Sequence, residues 1–153
     1  MTSHQITPFL WFDNQAKAAL SFYASVIKNS TTDFAVDDDG TSQTYSATLN
    51  GQRVIALNGG PHFKHSPAFS FMIECDNQDE VDELWEKFTA RGEESMCGWV
   101  VDEFGLSWQI VPKQLFEYLS DPDPARAQRA MQAMLQMKKI VISELAAAAA
   151  NSD

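Results

Sequence analysis

Four side chains of this 153-residue sequence have types and spacing that could support chemistry. His62 and His65 lie three apart, but the segment PHFKHSP that holds them reads as a loop. Because a loop does not place two histidines on one helix face, a solvated loop is favoured over a metal site. Cys97 has no nearby histidine to activate it, which favours a buried structural thiol over a nucleophile. Gln109 lies within CGWVVDEFGLSWQIVP, where a carboxylate would suggest a metal ligand, so the role of its amide is the main question.

The overall composition is that of a globular protein, with 44% hydrophobic and 21% charged residues. A net charge of −10 provides no basic surface for phosphate backbones, so no nucleic-acid partner is predicted. No run approaches the roughly 18 apolar residues of a membrane span, and no membrane partner is predicted. The first residues lack a basic region followed by an apolar core, so the expected location is cytoplasmic.

The elements that must position these residues form an internal repeat. In the first half, a strand at 6–12 precedes a helical pattern capped by Asp13 or Asn14. A short strand, TTDFAV, follows before the DDDG turn, and then a hairpin whose turn is Asn50-Gly51. The first half therefore predicts a βαβββ module over about 6–60.

The second half repeats this order over about 68–112. A strand at 68–75 leads into a helix with Gly92 as its predicted C-terminal cap, followed by two strands hinged at EFG. The acidic residues around this helix start favour the positive helix end and solvation over catalysis. They are Glu74, Asp76, Asp79, Glu80, Asp82 and Glu83.

A helical tail is predicted over 113–150, interrupted by DPDP. Its alanine run has high helix propensity and little to pack against, so its end is expected to fray. One helix on a four-stranded sheet leaves the opposite face uncovered, and two such modules can curl those faces round a cleft. The predicted fold is therefore α+β, with paired βαβββ modules forming a curled mixed sheet around a cleft, and C-terminal helices.

The paired modules resemble the glyoxalase/bleomycin-resistance/dioxygenase (vicinal oxygen chelate) superfamily. The stretches LWFDNQAKAALSFYASVI, ALNGGP and CGWVVDEFGLSWQIVP resemble in particular its PhnB-like branch, often labelled "3-demethylubiquinone-9 3-methyltransferase domain". The resemblance extends from residue 6 to about residue 145, and implies one domain over 1–153 and a homodimer.

The resemblance also implies where the ligands of metal-using members would lie: near Pro8, and at Asn58, Ser70 and Gln109. Proline has no donor atom, and serine and asparagine are poor ligands for zinc, nickel or iron. The residues therefore predict no metal and no cofactor. Methyl transfer is disfavoured too, because no glycine-rich turn links a strand to a helix: Gly59-Gly60 is followed by proline.

Strand alternation predicts which residues line the cleft. If Gln109 faces it, so do its neighbours at positions 107 and 111, and the apolar and amide side chains of the other strands join it. The predicted ligand-binding pocket is Phe12, Asn58, Ser70, Met72, Trp99 and Gln109. Such a mostly apolar surface with a few polar groups is typical of a small-molecule site.

We therefore expect a protein that binds a small organic ligand, as the drug-sequestering relatives that the resemblance implies do. Two alternatives stay open. One is an enzyme of lyase, isomerase or dioxygenase type that recruits a metal through Gln109 with His62 or His65. The other is an interaction module whose methionine-rich tail mainly builds the dimer.

Overall fold

A computed structural model describes residues 4–151 of the chain. Its contacts divide the chain into two compact units, with the division between His65 and Ser66. Each unit is described by itself. No helix among the described residues is long and apolar enough to cross a membrane.

Unit 1 is a βαβββ module. Its elements are β1 (Phe9–Phe12), α1 (Ala16–Val26), β2 (Thr31–Thr32), β3 (Thr44–Leu49) and β4 (Gln52–Asn58). The strand order is β1-β4-β3-β2, with β1 parallel to β4 and the other pairs antiparallel. Asn50 and Gly51 link β3 to β4 with φ of 46° and 88°, the positive values that a type I′ hairpin turn requires. This hairpin was predicted, and it is confirmed.

Unit 2 repeats this topology and adds three helices. Its elements are β5 (Ser70–Cys75), α2 (Gln78–Thr89), β6 (Glu93–Glu94), β7 (Trp99–Val101), β8 (Ser107–Pro112), α3 (Lys113–Leu119), α4 (Pro124–Leu135) and α5 (Ile142–Ala150). The order β5-β8-β7-β6, with β5 parallel to β8, reproduces that of unit 1. The predicted α+β fold is therefore confirmed: each unit contains one of the paired modules, and the C-terminal helices belong to unit 2. The shared cleft stays a prediction.

Each sheet packs one face on its own helix. In unit 2, the ring of Trp108 lies 5.0 Å from that of Phe88 on α2 and 5.0 Å from that of Phe71. Ile110 and Val100 are fully buried with it. Because side chains alternate along a strand, the residues between these point to the opposite face.

The two module helices start differently. At α2, the side chain of Asn77 accepts from the backbone N–H of Glu80, and Glu80 accepts in return from that of Asp76. This reciprocal capping confirms the predicted role at the helix start for Glu80. At α1, the N-cap residue Gln15 makes no side-chain cap. Instead, Asn58 on β4 accepts from the backbone N–H of Ala16 at 2.9 Å.

Two sequence predictions about helix ends are wrong. The cap of α1 comes from β4 and not from Asp13 or Asn14, because a residue distant in sequence supplies the oxygen. Helix α2 ends at Thr89 with Ala90 as its C-cap residue, so Gly92 is not the cap and serves a different purpose. A Cβ on Gly92 would lie 2.3 Å from the carbonyl oxygen of Val101, so glycine permits a close approach of the backbone to β7.

The C-terminal helices pack tightly against each other, contrary to the prediction of a fraying alanine run. Leu145 and Ala149 of α5 are buried, at 0% and 1% exposure. The guanidinium of Arg129 on α4 donates to the carbonyl oxygens of Ala148 and Ala149, at 3.1 and 2.7 Å. Arg129 thereby satisfies carbonyls at the end of α5 that would otherwise lack partners.

Candidate functional site

Three side chains form a row across the uncovered face of the unit 2 sheet. Gln109 on β8 is in register with Met72 on β5 and with Trp99 on β7. Its neighbours Trp108 and Ile110 are buried on the helix side. Gln109 therefore points away from α2, as the alternation predicted. Met72 is 48% exposed, so this row includes apolar surface open to a ligand.

Gln109 and Ser70 are brought together by a hydrogen bond. The Gln109 Nε2 donates to the Ser70 Oγ at 3.0 Å. Within the described residues, the Gln109 Oε1 has no hydrogen-bond partner, and the Ser70 hydroxyl is left with its proton to donate. The pair therefore offers one acceptor and one donor side by side, flanked by the apolar side chains of Met72 and Trp99.

Phe12 and Asn58 lie on the α1 side of their sheet, so the prediction that they face the uncovered side is wrong. Phe12 is 2% exposed, and its ring lies 5.1 Å from that of His65. The Asn58 amide is used at both ends, accepting from the Ala16 N–H and donating to the Ser42 carbonyl at 3.1 Å. The start of α1 uses this oxygen as a hydrogen-bond acceptor, and strand alternation alone does not reveal that requirement.

The register of the repeat explains this error. Asn58 pairs with Phe12 at the end of β1, whereas the residue that pairs with Cys75 at the end of β5 is Pro112. Matching the strand ends makes Ile55, three residues before Asn58, the counterpart of Gln109. An odd shift along a strand moves a residue to the other face, so Asn58 was assigned to the wrong side.

The donor set at the positions implied by the resemblance does not fit a transition metal. Pro8 offers only a backbone oxygen, which already accepts from the Ile55 N–H at 3.0 Å. Asn58 serves α1, and Ser70 bonds to Gln109. In the described part of the chain, no three His, Cys, Asp or Glu residues are grouped so that they could hold a metal ion.

The remaining histidine and cysteine side chains are not grouped into a catalytic or metal-binding site within the described residues. His62 is exposed, and His65 packs its ring on Phe12 while its Nε2 is buried without a hydrogen bond among the described residues. Cys75 is buried at 1% exposure. Cys97 is half-buried, and so it is not the fully buried thiol that was predicted.

Gly59 and Gly60 accommodate a side chain of the protein itself. A Cβ on Gly59 would lie 2.4 Å from the Trp11 ring. The Trp11 Nε1 also donates to the Gly60 carbonyl oxygen at 2.9 Å. Since no helix follows this turn, it does not have the geometry of a strand-to-helix turn that holds a nucleotide-type cofactor.

Unit 1 contains a cavity of about 390 Å³ that the sequence did not predict. The phenol of Tyr45 donates to the Asp38 carboxylate at 2.9 Å, and Ser46 donates to Asp33 at 2.8 Å. Burial, followed by the bond to Asp38, raises the pKa of Tyr45. The cavity is lined by Asp33, Phe34, Ala35, Asp38, Ser42, Thr44, Tyr45, Ser46, Arg53 and Ile55. The acidic turn DDDG was the one visible signal, and it was interpreted only as a turn.

Several solved structures share this fold. The PhnB protein from Bacillus cereus is 27% identical, with a TM-score of 0.62, over 71% of this chain and 99% of that one. Protein PA1353 from Pseudomonas aeruginosa is 18% identical, with a TM-score of 0.58, over 72% and 98%. The fosfomycin resistance protein FosX from Listeria monocytogenes is 16% identical, with a TM-score of 0.53, over 76% and 98%. The last two likenesses show the fold alone.

The curated proteins include no match to this chain. The sequence model of one family, however, matches residues 4–111, which is more than two thirds of the chain. That segment contains both βαβββ modules and ends within β8, before the C-terminal helices begin. The PhnB-like resemblance is thus confirmed over the modules, and the chain belongs to the family described as 3-demethylubiquinone-9 3-methyltransferase, within the vicinal oxygen chelate superfamily.

Proposed function

We propose that this protein binds a small organic ligand on the uncovered face of the unit 2 sheet, where Gln109 and Ser70 orient it. The observation that carries this proposal is the hydrogen-bonded pair of Gln109 and Ser70, in a row with Met72 and Trp99. The pair presents an acceptor and a donor to the ligand, and its neighbours present apolar contact area. The ligand should be neutral, with an apolar body and a head that both donates and accepts.

A primary amide has such a head. Its carbonyl oxygen would accept from the Ser70 hydroxyl, and its N–H would donate to the Gln109 Oε1. Binding an amide in this way requires no carboxylate side chain at the site, no metal and no methyl donor. A cytoplasmic homodimer is the assembly that we propose for this function.

Binding of the primary amides butanamide, hexanamide and octanamide provides the test. Wild-type protein, Gln109→Ala and a control with the exposed Gln43→Ala would be compared by thermal shift and calorimetry. Because a net hydrogen bond contributes about 1 kcal/mol, Gln109→Ala should weaken amide binding about fivefold. The Gln43→Ala protein should bind like the wild type.

Equal binding of amides by wild type and Gln109→Ala, with both proteins folded by circular dichroism, would contradict the proposed role of Gln109. The alternative of a metal-dependent enzyme has a separate test. About one transition-metal ion per chain in elemental analysis of the purified protein would overturn the metal-free proposal.

A further inference from the structure

The C-terminal segment just before α5 reaches the uncovered face of the unit 2 sheet beside Gln109. Val111 lies two residues further along β8 on the same face, and it is 2% exposed. It is buried in a cluster with Leu115, Met137, Ile140 and Leu145. Two residues of strand span about 7 Å, so this cluster begins next to the proposed ligand row.

Hydrogen bonds fix the chain ahead of Ile140. The backbone N–H of Cys97 donates to the Met137 carbonyl at 2.8 Å, and that of Gly98 donates to the Lys138 carbonyl at 2.7 Å. These bonds tie the segment to the loop that leads into β7, whose first residue is Trp99.

Gln78 holds the chain on the other side of Ile140. Its Nε2 donates to the Ile140 carbonyl at 3.0 Å, and its Oε1 accepts from the Ile142 N–H at 2.8 Å. Lys139 also pairs with Asp82 on α2 at 2.9 Å. The segment is therefore anchored to two elements of unit 2 and is not a loose extension.

Gly98 allows the Ile140 side chain to approach the sheet closely. A Cβ on Gly98 would lie 3.1 Å from Ile140 Cγ1 and 3.3 Å from Val111 Cγ1. Its φ of 85° also favours glycine. Ile140 is itself 0% exposed and packs with Val111, so these two side chains together fill the space over the end of β8, where an elongated ligand lying along the strand from Gln109 would otherwise extend.

We infer that Ile140 is the end wall of the ligand site and sets the greatest length of ligand that binds beside Gln109. The inference rests on the proposed function. Ile140 is a specificity-determining residue in this arrangement, because it limits the apolar body while Gln109 and Ser70 hold the head. It lies beyond residue 111, where the family match ends, so the wall is an addition to the matched modules.

The experiment measures the binding of butanamide, hexanamide, octanamide and decanamide by calorimetry. For wild type, each added methylene that is buried should tighten binding about fourfold, until the chain reaches the wall and the gain stops. Ile140→Ala removes three carbons and should extend the gain by about two methylenes. Ile140→Val, which removes one methyl group and is the milder change if the alanine variant does not fold, should give a smaller extension. Leu20→Ala, a truncation in the core of unit 1 at a residue with 0% exposure, is the control and should leave the length limit unchanged.

Three outcomes are distinguishable. A longer limit in the Ile140 variants alone supports the wall. Amide binding with the same limit in wild type, Ile140→Val and Ile140→Ala overturns the wall but leaves the proposed function intact. Absence of amide binding in every folded variant and in wild type overturns the proposed function, and the wall with it.

Discussion

Replacing Asp102 by asparagine should destabilise the protein strongly, although the side-chain shape is conserved. Asp102 is 4% exposed at the start of the β7–β8 turn. Its Oδ1 accepts from the backbone N–H groups of Phe104 and Leu106, at 2.8 and 3.0 Å. Its Oδ2 accepts from the Trp108 Nε1 at 2.9 Å. One carboxylate therefore shapes the turn and orients Trp108, which is 2% exposed in the unit 2 core.

Asparagine has one acceptor oxygen, so either the indole or the two backbone donors must face its NH₂ group. A buried donor left without a partner costs about 1–3 kcal/mol, and the remaining bonds lose the charge that strengthens them. We expect the free energy of unfolding to fall by about 3 kcal/mol, a large share of the 5–15 kcal/mol typical of a domain. Urea unfolding followed by circular dichroism measures this change.

The control for this substitution is Asp39→Asn. Asp39 has similar local chemistry, since its Oδ1 accepts from the Thr41 N–H and hydroxyl at 3.0 and 2.7 Å. It is exposed, and water can replace these bonds, so its urea midpoint should scarcely move. If Asp102→Asn unfolds within about 0.5 kcal/mol of wild type, the three hydrogen bonds are not what fixes the turn, and the reasoning fails.

Three further predictions follow from individual contacts. Asn58→Ala should lower the free energy of unfolding by about 1–2 kcal/mol in urea, because α1 loses its cap. Gly59→Ala should lower it by about 1–3 kcal/mol, because the new methyl group would overlap the indole ring 2.4 Å away. Hydrogen bonds from Gln78 and then Lys139 hold the pKa of Asp82 below its ordinary value of 3.8. The stability that this gives is present above pH 3.8 and is lost as the pH falls through the lower folded pKa, so Asp82→Asn should reduce the acid dependence of unfolding.

Matched variants separate these effects from general damage. Asn14→Ala removes one of the two side chains, with Asp13, that the sequence offered as the cap, and an effect as large as that of Asn58→Ala would contradict the observed cap. The cost of Gly59→Ala should shrink in a Trp11→Leu background, and an undiminished cost would point to backbone strain. An acid profile of Asp82→Asn identical to that of the wild type would contradict the stabilisation assigned to the hydrogen bonds of Asp82.

The sequence predicted those features that are encoded locally or repeated. The Asn50-Gly51 turn requires positive φ at both residues, which few other pairs adopt, so the hairpin was recognisable. The alternation around Gln109 is short and regular, and it placed that side chain on the correct face. Both signals depend on neighbouring residues only, and they can therefore be recognised without knowledge of tertiary contacts.

Features that depend on distant contacts were not predictable in the same way. The alanine run forms a packed helix because Arg129, about twenty positions away, binds its last carbonyls. Likewise, the cavity of unit 1 draws together the acidic turn and Arg53 on β4, which only strand register brings near each other. No local pattern distinguishes these arrangements from a frayed end or a solvated turn.

The difference between the two modules follows from how each caps its helix. In unit 2, Asn77 lies beside the helix start and caps α2 itself, so no amide of β8 is needed there. In unit 1, no side chain next to α1 caps it, and Asn58 of β4 supplies the oxygen. An amide committed to a helix start is not available to a ligand, whereas the Oε1 of Gln109 has no partner in the described residues. The two modules share one topology. We nevertheless expect the ligand head to bind on unit 2, because only there is the amide oxygen not committed to a helix start.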